Sequence, residues 1–162
     1  MNELNDPGPA GMNTGGLALP QSVEAEKELL AAVLVDQTAM DVLLENELEE
    51  EHFYAPRHQL IFRAMHALYD QNESIDEVTL PQRMKDDGTF EQAGGYQALS
   101  ALLNRSGTVA HLADYSTIVR EQAAVRQMID AARAIAADAF QSGSDVVAFL
   151  DSAERRVFSV LE

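Results

Sequence analysis

The sequence predicts an all-α protein, with a compact multi-helix head over residues 20–108 followed by a C-terminal antiparallel helical hairpin over residues 109–162. Three observations carry this reading. First, apolar residues recur at Leu112, Tyr115, Ile118 and Val119, then at Val125, Met128, Ile129, Ala132, Ile135, Ala136 and Phe140, the three-and-four spacing of one helical face. Second, the stripe resumes beyond the turn Gln141-Ser142-Gly143-Ser144, at Val146, Val147, Phe149, Leu150, Ala153, Val157, Phe158 and Leu161. Third, no stretch sustains the alternation of a half-buried strand. The apolar face after the turn is wider than one antiparallel partner helix covers, so the hairpin is expected to meet the rest of the chain, another subunit, or both.

The earlier elements follow in order. Residues 1–19 are rich in Gly, Pro and Asn without an apolar period and are expected to form a disordered arm. A first helix starts at Ser22, an N-cap residue, with Glu24 and Glu26 placing negative charge on its first turn, and runs to about Val35 through Leu29, Leu30, Val33 and Leu34. Asp36-Gln37 breaks it before a short helix through Met40, Val42, Leu43 and Leu44, and Glu45 to Glu51 connects onward. Pro56 suits the first turn of a third helix, because its missing N–H has no intrahelical partner there. That helix runs to about Gln71 with a core stripe of Leu60, Ile61, Met65, Leu68 and Tyr69. Asp76 caps a fourth helix carrying Val78, Leu80 and Met84, with Pro81 in its first turns and Asp87-Gly88 at its end. Gly94-Gly95 opens a fifth through Tyr96, Leu99, Leu102 and Leu103, and residues 105–108 lead into the hairpin.

Composition narrows the function. Eleven basic residues face twenty-seven acidic ones, a formal charge of −16 with no basic cluster in the sequence. Nucleic acids are polyanions held mainly through Lys and Arg, so DNA binding by this chain alone is disfavoured. Cysteine is absent, which removes disulfides, thiolate catalysis and thiolate zinc sites. There is no apolar run of membrane-spanning length and no signal-like N-terminus, so a cytoplasmic location is expected.

Tests for chemistry return little. A phosphate loop needs Gly-Lys followed by Ser or Thr, and neither Lys27 nor Lys85 follows a glycine. Glu49-Glu50-Glu51-His52 holds one Glu-x-x-His, the spacing of a di-iron ligand pair, but none of His58, His66 and His111 has a Glu three positions earlier to supply the second. His58 and His66 share roughly one face of the third helix without a nucleophile tied to them. The glutamate run reads as a solvated connection or as a site for a basic partner. Gly94-Gly95 reads as a tight helix entry, since no strand precedes it as a phosphate cradle requires. No catalytic residue, cofactor-binding residue or metal ligand is assigned.

The segments also match a family pattern in order. The run from Leu19 to Glu26 (LPQSVEAE), Phe53-Tyr54 followed by His58, Ile61, Phe62 and Met65, and Ser74-Ile75-Asp76 with Thr79-Leu80 come first. Gly94-Gly95-Tyr96 with Leu99, Tyr115 with Ile118 to Glu121, Val125-Arg126 with Met128-Ile129, and Ala153-Glu154 with Val157-Phe158 continue it. Over residues 19–162 the chain resembles the N-terminal domain of the bacterial replicative DNA helicase, the DnaB family. The resemblance implies a noncatalytic collar module that, in the full helicase, precedes a linker and a RecA-like motor domain. ATP and Mg would belong to that motor domain, so no cofactor is expected in this fragment. It implies that helical hairpins pair, that three pairs form one tier of a hexameric ring, and that this tier receives the C-terminal domain of primase, with helicase loaders as further partners. Met128, Ile129, Ile135, Phe149 and Leu150 would then lie at or near the pairing and docking surfaces, with Tyr96 a further candidate on the head. Two other readings stand beside it: a stand-alone helical adaptor or loader-like protein that binds a helicase, and a metal-dependent helical-bundle enzyme resting on the single Glu-x-x-His.

Overall fold

The computed structural model describes residues 17–105, 109–141, 143 and 145–161. Residues 1–16 of the expected arm, residues 106–108 of the expected connection, Ser142 and Ser144 of the expected turn, and Glu162 lie outside the described residues. The described residues form α1 (Val23–Val35), α2 (Ala39–Glu45), α3 (Pro56–Asp70), α4 (Thr79–Asp86), α5 (Gly95–Leu103), α6 (Leu112–Gln141) and α7 (Val146–Leu161), with 3-10 turns at Glu50–His52 and Val109–His111 and no strand.

Local chemistry explains where the head helices begin. Ser22 Oγ accepts the Ala25 N–H at 3.4 Å, satisfying a donor that has no carbonyl partner in the first turn of α1. Asp36 accepts from the Thr38 N–H and hydroxyl at 3.0 and 2.7 Å, which turns the chain into α2. Pro56 occupies the first turn of α3 as expected. Asp76 does cap α4, but from three positions before its first residue: its carboxylate accepts the N–H groups of Val78 and Thr79 at 2.8 and 2.9 Å. The turn this creates leaves Val78 before the helix and exposed, where the apolar pattern placed it on the core stripe. Gly94 stands before α5 with φ +98, and a Cβ there would come within 2.9 Å of the Ala98 Cβ, so the entry demands glycine on two counts.

Helix α1 is the centre of the head. It packs against α2, α3, α5 and α6, which is why Leu29, Leu30 and Val33 are wholly buried. Met40 and Leu43 of α2, Ile61, Phe62, Met65 and Leu68 of α3, Leu80 and Met84 of α4, and Leu99 and Leu102 of α5 close the same core. Phe53 and Phe62 meet within it with ring centroids 5.0 Å apart. The connection after α2 also contributes: Leu48 is buried, held inward by a helix-ending turn in which the Leu48 N–H donates to Leu43 O and Glu47 takes a positive φ of 55.

Helix α6 divides into two parts. Leu112, Ser116, Val119 and Ala123 are buried against the head, through α1, α2 and the Glu50–His52 turn. Beyond Ala123 no residue of α6 is buried, and α7, folded back along α6, has no buried residue at all. A helix of thirty residues is about 45 Å long, so its second half projects with α7 beyond the head.

Candidate interaction surface

Two arginines fix the projection. Arg120 donates to the Asn46 carbonyl at 3.1 Å and pairs with Glu47 at 3.2 Å, engaging a carbonyl freed at the end of α2. One and a half turns further along, Arg126 reaches two carbonyls from separate segments, Pro20 O and His52 O, each at 2.8 Å, with its guanidinium over the Tyr54 ring at 5.3 Å. A planar donor fork suits this double contact, and the aromatic face adds a cation–π attraction. The head–hairpin junction is thus polar at its last contact, while the apolar surface of α6 is left for other uses.

That apolar surface has two sides. Ala131, Ile135 and Asp138 form one row, and Asp138 pairs across the hairpin with Arg156 of α7 at 2.8 Å, so the row faces α7. Met128 lies two turns before Ile135 on the same side, and Phe149, Ala153, Val157 and Val160 are the half-buried apolar positions of α7. A second stripe, Ile118, Val125, Ile129, Ala132, Ala136 and Phe140, runs along α6, and all of it but the half-buried Ile129 is exposed among the described residues, Phe140 at the far end by 93%. On the outer side of α7, Val147, Leu150, Phe158 and Leu161 are exposed, Leu150 by 57% and Phe158 by 55%. Scattered exposed apolar residues need no explanation, but two continuous stripes on one projecting element do.

The five hairpin residues singled out in the sequence therefore separate. Met128, Ile135 and Phe149 lie on the sides where α6 and α7 face each other, whereas Ile129 belongs to the uncovered stripe of α6 and Leu150 to the outer side of α7. Tyr96 lies apart from all of them on the head. Its hydroxyl accepts from Lys85 Nζ at 2.7 Å, its ring meets Phe90 edge-on at 4.8 Å, and it borders a cleft of about 320 Å³ with Leu34, Val78, Leu99 and Leu103.

Other sequence candidates have local roles. His52 Nδ1 accepts the Glu49 backbone N–H at 2.9 Å, so the Glu-x-x-His spacing closes a 3-10 turn. Among the described residues no three potential ligands converge in a way that could hold a metal. Within the glutamate run, Glu50 forms a two-pronged pair with Arg63 at 2.7 and 2.9 Å, and the hydrogen bond between Glu49 and Glu51 raises the Glu49 carboxyl above the usual range.

The sequence pattern missed one polar centre altogether. Glu26, expected to carry charge on the first turn of α1, points inward and is only 1% exposed. Its carboxylate accepts the N–H groups of Tyr54 and Ala55 just before α3, and its Oε2 lies 2.6 Å from Nδ1 of the buried His58. A buried carboxylate is tolerated because three donors surround it. The available sequence signal was only a glutamate on the apolar side of α1, beside Leu29, Leu30 and Val33.

Comparison with known proteins accounts for this architecture. The family model described as DnaB-like helicase N terminal domain matches residues 18–121. The chain is similar to the replicative DNA helicase DnaB of Haemophilus influenzae, 33% identical over 144 residues, covering 88% of this chain and 31% of the helicase. It is similar to the replicative DNA helicase DnaB of Geobacillus stearothermophilus, 36% identical over 141 residues, covering 87% of this chain and again 31% of the helicase. It thus spans less than a third of each of these relatives. The crystal structure of the N-terminal domain of DnaB helicase from Mycobacterium tuberculosis superposes with a TM-score of 0.82 at 28% identity, covering 88% of this chain and 99% of that one. The head, the long α6 and the returning α7 together mark a chain that belongs to the DnaB-like helicase N-terminal domain family.

Proposed function

We propose that this domain is a noncatalytic collar module of a replicative DNA helicase, a pairing and docking element rather than an active site. Its hairpin pairs with the hairpin of a second copy, such pairs build one tier of a hexameric ring, and the paired surface receives the C-terminal domain of primase. Helicase loaders are a further class of partner for the whole protein. ATP hydrolysis, and the magnesium it requires, belong to a motor domain outside this chain.

One observation carries the reading: the stripe from Ile118 to Phe140 on α6 and the outer face of α7 give a projecting hairpin apolar surface that the described residues do not bury. A symmetric pair of such hairpins buries the same patch on each copy. A specific interface of standard size removes about 1,600 Å² in total, a scale that two helices of this length can supply. Tyr96 and its cleft offer primase a second contact on the head. The formal charge of −16 supports protein partners over DNA, which the acidic surface would repel.

The test is sedimentation of the isolated domain carrying Ile129→Asp or Leu150→Asp, beside the unsubstituted chain. Both side chains lie away from the α6–α7 seam, so helicity by circular dichroism should be retained while self-association weakens. A sedimentation profile unchanged by both substitutions would overturn hairpin pairing.

A further inference from the structure

We propose that a small cavity in the head, between α1, α3 and α5, is a binding site for a single phosphate group. The cavity has a volume of about 120 Å³ and is lined by Lys27, Arg57, His58 and Arg105 against an apolar wall that includes Ile61 and Leu102. In a chain of net charge −16, every polar side chain lining this cavity is a base. The glutamates that balance them are not among the lining residues. Lys27 pairs with Glu24, Arg105 with Glu24 and Glu28, and His58 with Glu26, yet none of these three carboxylates borders the space.

Unused hydrogen-bonding capacity converges there. The Arg57 guanidinium makes no hydrogen bond or ion pair with any described residue. The bonds of Arg105 to Glu24 and Glu28 use Nε and Nη2 and leave Nη1 over, and Lys27 gives one bond to Glu24 out of three donors. His58 is only 3% exposed, and with Nδ1 directed at Glu26 its other ring nitrogen, Nε2, has no partner among the described residues. The backbone N–H groups of Tyr54 and Ala55 mark Glu26 as the acceptor, so Nδ1 carries a hydrogen and, in the neutral ring, Nε2 presents a lone pair. A hydrogen phosphate matches both demands: its oxygens accept from Arg57, Lys27 and Arg105, and its P–OH donates to Nε2. Sulfate and acetate have no proton to give at neutral pH. A space of this size holds several waters, hence one hydrogen phosphate ion.

The test uses the full chain at pH 7.5 and constant ionic strength, following the histidine ring signals by NMR during titration with inorganic phosphate, AMP, sulfate or acetate. Phosphate should move the His58 signal saturably while His66 and His111, which do not line the cavity, stay still, and sulfate and acetate should bind at least about tenfold more weakly, as loss of one hydrogen bond to a charged group predicts. Arg57→Gln touches no internal bond and should weaken phosphate binding by about the same factor. AMP, an ester dianion that has lost its P–OH proton at pH 7.5, should bind as weakly as sulfate, and AMP binding as tightly as phosphate would show that donation to Nε2 is not used. Absence of a saturable shift at His58, equal binding of sulfate or acetate, or an Arg57→Gln variant that binds like the parent would each overturn the proposal.

Discussion

The head and the hairpin are built from similar helices and end in opposite states. In the head, α1 touches four other helices and each of Leu29, Leu30, Met40, Leu43, Phe62, Met65, Leu80 and Met84 is fully enclosed. In the hairpin, α7 packs along α6 and buries no residue completely. Two packed helices shield one side of each other, and a closed core needs a further layer. The head therefore closes its own core, whereas the hairpin carries apolar surface that the described residues leave exposed. The two should answer the same substitution differently.

That contrast gives the largest expected effect. Phe62→Ala, in the head, should lower the unfolding free energy by about 3–5 kcal/mol, because it removes a fully packed ring that contacts Phe53. Phe158→Ala, on the outer side of α7, should change the unfolding of the dilute monomer by no more than about 0.5 kcal/mol. Urea titrations followed by circular dichroism decide the matter. Equal losses at the two sites would mean that the outer face of α7 is already covered in the monomer, and the contrast would fail.

The junction between the two regions gives an intermediate effect. Arg126→Met keeps much of the side-chain stem but leaves the carbonyls of Pro20 and His52 without their donor, at a cost of about 1–3 kcal/mol. The loss should be local: amide hydrogens of residues 124–141 should exchange faster while those of α1 and α3 keep their protection. Protection of α6 unchanged by the substitution would show that Leu112, Val119 and Ala123, with Arg120, hold the hairpin to the head without Arg126.

The sequence displays local periodicity well and long-range partners poorly. Ser22, Pro56, Asp76 and Gly94 announce helix starts because each acts on backbone groups within a few residues. Glu26 could not be read in this way, since Tyr54, Ala55 and His58 lie 28 to 32 positions away, and a first-turn glutamate looks the same whether it faces water or a distant helix end. The partners of Arg126 were likewise hidden, because the carbonyls of Pro20 and His52 lie 106 and 74 positions away. The hairpin shows a subtler limit. Its apolar residues read as a single broad face, and only the pairing of Asp138 with Arg156 separates the row facing α7, with Met128 and Ile135, from the uncovered stripe with Ile129 and Phe140. Of the hairpin candidates, then, the sequence identified apolar positions but could not say which partner each one faces. Leu48 was lost in a stretch read as a charged connection, because one leucine among glutamates has no period to reveal it.

The smallest expected effect belongs to pH and is confined to the head. Hydrogen bonds from the backbone N–H groups of Thr79 and Val78 hold the Asp76 carboxyl below the usual aspartate range. The folded state thus binds a proton at this position less readily than the unfolded chain. Asp76 contributes stability that is fully present above the ordinary aspartate pKa, and this contribution is lost as pH falls through the depressed value of the folded state. Asp76→Asn keeps an oxygen able to accept from Val78 and Thr79 but removes the titration. It should cost less than about 1 kcal/mol at neutral pH, as for a cap exchanged between two good capping residues, and the variant and parent should converge in stability as pH falls. The measurement is a set of urea midpoints between neutral pH and the acid limit. A gap between the two proteins that stayed constant across that range would mean that the Asp76 charge does not hold the entry of α4, and that the geometry of the turn alone does.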